Sequence, residues 1–128
     1  MLLTARSVDR ASRLQVHTRY PLQFGEGGVE LQSEGAELLS SVAELVLEDP
    51  EMRIAVEGHS DEHEDSHQLS RERAKVVSAV LQQCGVDVAR ITCYGYGATQ
   101  PLEEEGEEGE EGRAHNRRVK IFVTPNLV

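Results

Sequence analysis

Residues 53–84 read RIAVEGHSDEHEDSHQLSRERAKVVSAVLQQC, and the order of secondary structure can be worked out from this stretch. Its first five residues, 53–57, are mainly apolar and predict a short buried strand, which Gly58-His59-Ser60-Asp61 leaves as a turn. Apolar residues then recur every three or four positions over about 68–84, which predicts a helix that Gly85 ends. The apolar positions of this helix are Leu69, Val76, Val77, Val80, Leu81 and Cys84.

The flanking sequence adds one helix and three strands. Residues 14–24 alternate apolar and polar side chains, which predicts a half-buried strand with an edge position or a bulge at Pro21. A helix follows from Ser33, whose hydroxyl suits an N-cap, and Pro50 stops it. Two further strands are predicted at 91–96 and 119–124. The order β-α-β-α-β-β predicts an α/β two-layer sandwich, with two helices packed on one face of a four-stranded mixed sheet.

A chain of 128 residues has room for one hydrophobic core. We therefore predict a single domain over 14–125, with an N-terminal tail over 1–13 and a C-terminal tail over 126–128. Within the domain, residues 102–112 are predicted to form an acidic loop.

The net charge of −10 comes from 23 acidic and 13 basic residues, and seven of the acids are glutamates within residues 103–111. Clustered like charges with interspersed glycines predict a mobile surface loop, or else an acidic docking segment for a basic partner. Nucleic acid is excluded as a partner, because no basic run is longer than Arg117-Arg118.

The chain offers no transmembrane segment, because no apolar run approaches the roughly 20 residues that a membrane span requires. Residues 1–5 are too short for the apolar region of a signal peptide, so the sequence leaves the compartment undetermined. Cys84 and Cys93 are predicted to be two half-buried thiols, with a single disulfide as the alternative.

Residues 63–67 read HEDSH, which matches the H-E-x-x-H pattern of zinc proteases. The match lies in an acidic stretch ahead of the predicted helix, whereas the zinc site needs both histidines on one helix face. We therefore interpret His63, Glu64 and His67 as part of a solvated loop rather than a metal-dependent hydrolase. Adventitious metal binding by His59, His63 and His67 is the remaining metal interpretation. No cofactor is predicted, and the chain is interpreted as noncatalytic.

Asp61 follows the strand at 53–57, and Arg73 lies near the start of the next helix. A carboxylate and a guanidinium that face one another across a shallow pocket suit a zwitterionic amino-acid ligand. The same pair could instead form a structural salt bridge or a helix cap, and the local sequence leaves both interpretations open.

Five short motifs occur in order along the chain. They are Gly58-His59-Ser60-Asp61, Leu69-Ser70-x-x-Arg73-Ala74, Gly85-Val86-x-x-x-Arg90-Ile91, Gly95-Tyr96-Gly97-x-x-x-Pro101 and Arg113-Ala114-x-Asn116-Arg117-Arg118-Val119. Together they resemble the OmpA-like domain, the module shared by outer-membrane protein A, the peptidoglycan-associated lipoprotein and flagellar stator proteins. The resemblance covers residues 15–124, and the family fold is the same β-α-β-α-β-β sandwich.

The resemblance implies noncovalent binding of peptidoglycan through the diaminopimelate of its stem peptide, in the periplasm or cell envelope. The family's ligand-holding residues correspond to Asp61 and Arg73. Supporting positions around the pocket correspond to His59, Ser60, Asn116 and Arg117. Gly95 and Gly97 are interpreted as backbone requirements.

The chain departs from the family pattern in three places, and the shortened segment and the acidic tract favour a second hypothesis. The segment after Asp61 is about three residues shorter than in the family and lacks its glycine, with Ser66 where an asparagine is usual. Gly25 replaces the aspartate that often ends the first strand, and the loop before Arg113 is the glutamate tract. On this hypothesis the domain is an accessory subunit that contacts other proteins in a larger membrane or organellar assembly without peptidoglycan.

Overall fold

The computed structural model describes residues 3–4, 14–15, 17–18, 22–31, 33–64, 66–101 and 109–125. Its strands are β1 Leu3–Thr4, β2 Leu14–Gln15, β3 His17–Thr18, β4 Leu22–Gln23, β5 Met52–Gly58, β6 Ile91–Gly95 and β7 Arg118–Pro125. Its α-helices are α1 Ser33–Leu47, α2 His67–Gln83 and α3 Gly109–Asn116, and one turn of 3-10 helix spans Val88–Arg90.

The central sheet is mixed, with β7 and β5 in its middle. β5 pairs in parallel with β6 and antiparallel with β7, and the short strands β2 and β4 both pair antiparallel with β7. In the register Ile54 lies opposite Ile91 of β6 and Val123 of β7. The predicted α/β sandwich on a four-stranded mixed sheet is confirmed, with β2 and β4 together in the place of the predicted first strand.

The hydrophobic core lies between this sheet and helices α1 and α2. Its most deeply buried side chains are Leu39, Val42, Val46, Ile54, Val56, Val77, Leu81 and Val123. The apolar positions predicted to be buried on α2 are displaced in the structure. The buried face of α2 consists of Ser70, Arg73, Ala74, Val77, Ser78 and Leu81, so its first turns bury polar side chains.

Two glycines allow the start of α2 to lie directly on the sheet. A Cβ atom on Gly58 would lie 1.8 Å from the carbonyl oxygen of Ser70, and one on Gly95 would lie 2.7 Å from the backbone of His67 and Arg71. Gly97 has φ +59, a backbone conformation that favours glycine. The interpretation of Gly95 and Gly97 as backbone requirements is confirmed, and this close approach places Arg73 beside the C-terminal end of β5.

Gly58→Ala is expected to lower the free energy of unfolding by about 1–3 kcal/mol or more, because α2 must move away from β5 to admit one methyl group. Urea denaturation measures this loss. Gly25→Ala is the matched control, since a Cβ there would meet nothing within 4 Å. Equal stability of the two variants would contradict the close packing of α2 on β5.

The predicted acidic loop over 102–112 is wrong for residues 109–112, which begin α3. Glu110 and Glu111 lie in the first turn of this helix and Arg113 and His115 in its last, which suits the helix dipole. Glu110 also pairs with Arg117 and Arg113, so a favourable charge arrangement outweighs the poor helix propensity of Gly109 and Gly112. Residues 102–108 lie outside the described residues.

Two other predicted segments also differ from the structure. The single strand predicted over 14–24 is divided, because β3 between its two halves pairs with β1 rather than with the central sheet. β1 falls in the segment predicted as a tail, and backbone pairing of this kind needs no apolar pattern in the sequence.

Cys84 and Cys93 are half-buried free thiols, as predicted. In the described part of the chain, no helix is long and apolar enough to cross a membrane.

Candidate functional site

The predicted site residues meet where β5 ends, α2 begins and α3 joins β7. Asp61 and Arg73 are both completely buried, and neither pairs with the other. Arg73 forms an ion pair with Glu64, and Asp61 forms one with Arg117. The predicted facing pair of Asp61 and Arg73 is therefore corrected to two adjacent ion pairs that involve four residues.

All five N–H donors of the Arg73 guanidinium have acceptors. Nε donates to the carbonyl of Gly28 at 2.9 Å, Nη1 to that of His59 at 3.0 Å and Nη2 to that of Gly25 at 3.1 Å. The remaining two donors reach the carboxylate of Glu64, at 2.8 Å and 2.6 Å. The guanidinium also lies over the ring of Phe24, 5.4 Å from its centroid. The bidentate geometry is the strongest arrangement open to an arginine and a carboxylate.

Glu64 is held as firmly as Arg73. Its side chain is 5% exposed, and beyond the two guanidinium contacts its carboxylate accepts from the backbone N–H of Gly27 at 2.6 Å and of Asp61 at 2.9 Å. Burial acts to raise the pKa of Glu64, but the hydrogen bonds from Arg73 and the two backbone N–H groups outweigh it and hold the pKa below its ordinary value. The interpretation of Glu64 as part of a solvated loop is wrong, because its side chain is buried. The guanidinium of Arg73 compensates the buried charge.

Asp61 organises the turn that carries Glu64. Its Oδ1 accepts from the backbone N–H of His63 at 2.9 Å and of Glu64 at 2.8 Å, and its Oδ2 accepts from Nη1 of Arg117 at 3.0 Å. Burial acts to raise the pKa of Asp61, but these hydrogen bonds outweigh it and hold the pKa below its ordinary value. Asp61 therefore remains an anion at neutral pH.

Arg117 links the cluster to α3. Its Nε donates to the carbonyl of Phe24 at 2.9 Å, and its Nη2 donates to Glu110 at 2.5 Å. The hydrogen bond with Glu110 raises the pKa of Arg117. The side chain of Glu110 is 62% exposed, so it lies on the solvent-facing side of the ion pair between Asp61 and Arg117.

The other predicted supporting residues lie close by. Oγ of Ser60 accepts from the backbone N–H of Ser66 at 3.2 Å, which joins the turn to the N-cap of α2. Oδ1 of Asn116 accepts from Nη1 of Arg118 at 3.4 Å. The ring of His59 is buried and stacks on Tyr96 with 5.5 Å between centroids, and neither of its nitrogens has a hydrogen-bond partner among the described residues.

The histidines of the H-E-x-x-H pattern do not form a metal centre with their neighbours. His63 is exposed on the turn, and His67 is the exposed first residue of α2. Across the described ranges, no group of three histidine, cysteine or acidic side chains could hold a metal ion.

Sequence reasoning missed Glu64 and Glu110 as partners of the two arginines. A signal for Glu64 was present, since the shortened segment after Asp61 brings an acidic residue within nine positions of Arg73. Glu110 carried no comparable signal, because it is one of seven similar glutamates within residues 103–111.

A family model described as the OmpA family matches residues 23–117. The protein named "Probable lipoprotein YiaD" from Escherichia coli is 34% identical over 105 residues, which are 80% of this chain and 47% of that protein. The protein named "Peptidoglycan-binding protein ArfA" from Mycobacterium bovis is 33% identical over 118 residues, or 90% of this chain and 36% of that protein. The chain thus spans less than half the length of these two relatives.

Solved structures share the fold. The peptidoglycan-associated lipoprotein from Burkholderia pseudomallei superimposes with a TM-score of 0.74 at 24% identity, over 80% of this chain and 88% of that one. The periplasmic domain of MotB from Helicobacter pylori gives a TM-score of 0.70 at 21% identity, over 91% and 83% of the two chains.

Proposed function

The chain belongs to the OmpA family, and we propose that it is a noncatalytic module that binds peptidoglycan through the diaminopimelate of the stem peptide. Asp61 and Arg73 are the primary ligand contacts in this proposal. Arg117, His59, Ser60 and Asn116 hold the surrounding backbone and charges. The observation that carries the proposal is the cluster itself, in which an anionic carboxylate and a bidentate guanidinium lie beside one another at the end of β5.

The chemistry of the cluster suits the free amino-acid head group of diaminopimelate. Its ammonium group needs a carboxylate acceptor, and Oδ2 of Asp61 accepts a hydrogen bond from Arg117 alone among the described residues. A carboxylate oxygen can accept a second hydrogen bond, so this atom suits the ammonium group. The ligand's carboxylate suits the planar fork of Arg73. The name of the relative ArfA, a peptidoglycan-binding protein, supports the same ligand class.

Asp61→Asn is expected to weaken binding to insoluble peptidoglycan roughly 10- to 100-fold, because a charge-assisted contact worth about 1.5–3 kcal/mol is lost. Co-sedimentation with purified cell-wall sacculi measures this, and circular dichroism checks that the variant is folded. Glu62→Gln, an exposed change in the same turn, is the matched control and should sediment like the wild type. A folded Asp61→Asn variant that sediments like the wild type would contradict the assignment.

The second candidate, an accessory subunit that contacts other proteins, is favoured by one observation. Every donor of Arg73 is already used within the chain, so the cluster is complete as a structural element. On this hypothesis neither the wild type nor any variant of the cluster binds sacculi.

A further inference from the structure

The carboxylate of Glu64 lies where a bound carboxylate would be expected. Two N–H groups of Arg73 converge on it from one side, and the backbone N–H groups of Gly27 and Asp61 converge from the other. These four donors form a complete cradle for one carboxylate group. A ligand carboxylate could bind bidentately to Arg73 only if Glu64 left, because the other three donors of the guanidinium are held by carbonyl oxygens.

Glu64 belongs to the short turn over 62–64, whose two other side chains face solvent. Glu62 and His63 are exposed, whereas Glu64 points inward and reaches a backbone N–H of the loop that follows β4. Rotation of this one side chain away from Arg73 would uncover the cradle without unfolding a helix or a strand.

We infer that Glu64 is an internal ligand, which occupies the cradle of four donors and competes with the carboxylate of an incoming ligand. This inference rests on the proposed function for the identity of the ligand, a diaminopimelate head group. The carboxylate of Glu64 is tethered and therefore has a high effective concentration at the cradle. The wild-type chain thus binds the ligand more weakly than the contacts of the ligand alone would allow. When only a minor open state can bind, removal of the competitor tightens binding by the inverse of its population, at least about ten-fold for an open state below 10%.

The first experiment uses acetate as the probe and needs no peptidoglycan. Glu64→Ala removes the internal carboxylate and leaves the cradle of four donors. Acetate should then raise the melting temperature of the Glu64→Ala chain in a saturable way, because a ligand of the folded state stabilises it by mass action. The wild type and Glu62→Ala should respond only as they do to sodium chloride at the same ionic strength.

If Glu64→Ala is unfolded without acetate, recovery of the folded circular dichroism signal on addition of acetate is the expected rescue. Failure of acetate to act more strongly on Glu64→Ala than on Glu62→Ala would overturn the inference. Glu64→Gln is a second variant, which keeps the volume of the side chain and removes its charge.

The second experiment measures binding of meso-diaminopimelate by titration calorimetry. Glu64→Gln, and Glu64→Ala where it folds, should bind at least about ten-fold more tightly than the wild type and Glu62→Ala. Equal affinity of all these chains would overturn the inference and leave the proposed function standing. If acetate stabilises Glu64→Ala but no chain binds meso-diaminopimelate or sacculi, the result would support a cradle that binds carboxylates and would contradict the proposed function.

Discussion

Arg73→Met is expected to lower the free energy of unfolding by about 3–5 kcal/mol, measured by urea denaturation at pH 7. The substitution leaves the carboxylate of Glu64 buried without its cationic partner, and it leaves three carbonyl oxygens without the donors that reach them. The apolar stem of methionine can replace only the packing of the arginine side chain against Phe24.

Arg71→Met is the matched control, because Arg71 is exposed on the same helix and should change stability by no more than about 0.5 kcal/mol. Adding Glu64→Gln to Arg73→Met should restore part of the lost stability, since the unpaired buried charge is then removed. An Arg73→Met chain as stable as Arg71→Met would show that the buried ion pair does not support the fold.

His59→Phe is expected to remove most of the pH dependence of stability between pH 6.5 and 4.5. Burial lowers the pKa of His59 to about 3, with further contributions from Arg118 and Lys120. Below pH 6.5 the unfolded chain therefore binds a proton at this position that the folded chain does not, so the wild type loses stability as the pH falls. The free energy of unfolding of the wild type should fall by about 1.4 kcal/mol per pH unit, or about 2–3 kcal/mol across this interval.

Phenylalanine keeps a ring that can stack on Tyr96 and has no nitrogen to titrate. Urea denaturation at a series of pH values compares the wild type with His59→Phe and with His63→Asn, a change at an exposed histidine that should keep the wild-type slope. Asp61 and Glu64 have lowered pKa values, so their contributions are lost mainly below about pH 4.5 and add little to the slope in this interval. The same slope in all three chains would refute the assignment to His59.

The fold could be predicted because its strands and helices carry strong apolar patterns. β5, β6 and α1 lie where the patterns place them, within one or two residues. The buried face of α2 could not be placed in the same way, because it begins with Ser70 and Arg73. These polar residues are buried because Gly58 and Gly95 let the helix lie on the sheet, a tertiary effect without an apolar period in the sequence.

Three members of the cluster could be predicted from the sequence, but their partners Glu64 and Glu110 could not, and neither could the pairing. The motifs indicated Asp61, Arg73 and Arg117, and the structure brings these residues into one cluster. Which acid pairs with which arginine depends on the path of the turn over 61–64, where Asp61 accepts two backbone hydrogen bonds and directs Glu64 inward. A pattern of residue types does not encode this path. The pairing of Glu110 with Arg117 depends in turn on the formation of α3, against the low helix propensity of its glycines.

The crystal structure of the Glu64→Ala chain with meso-diaminopimelate would test the central claim most directly. The account predicts a ligand carboxylate within about 3.2 Å of both Nη atoms of Arg73 and of the Gly27 nitrogen, with the ligand ammonium at a similar distance from Oδ2 of Asp61. A ligand bound elsewhere on the chain, or a cradle without ligand at saturating concentration, would contradict it.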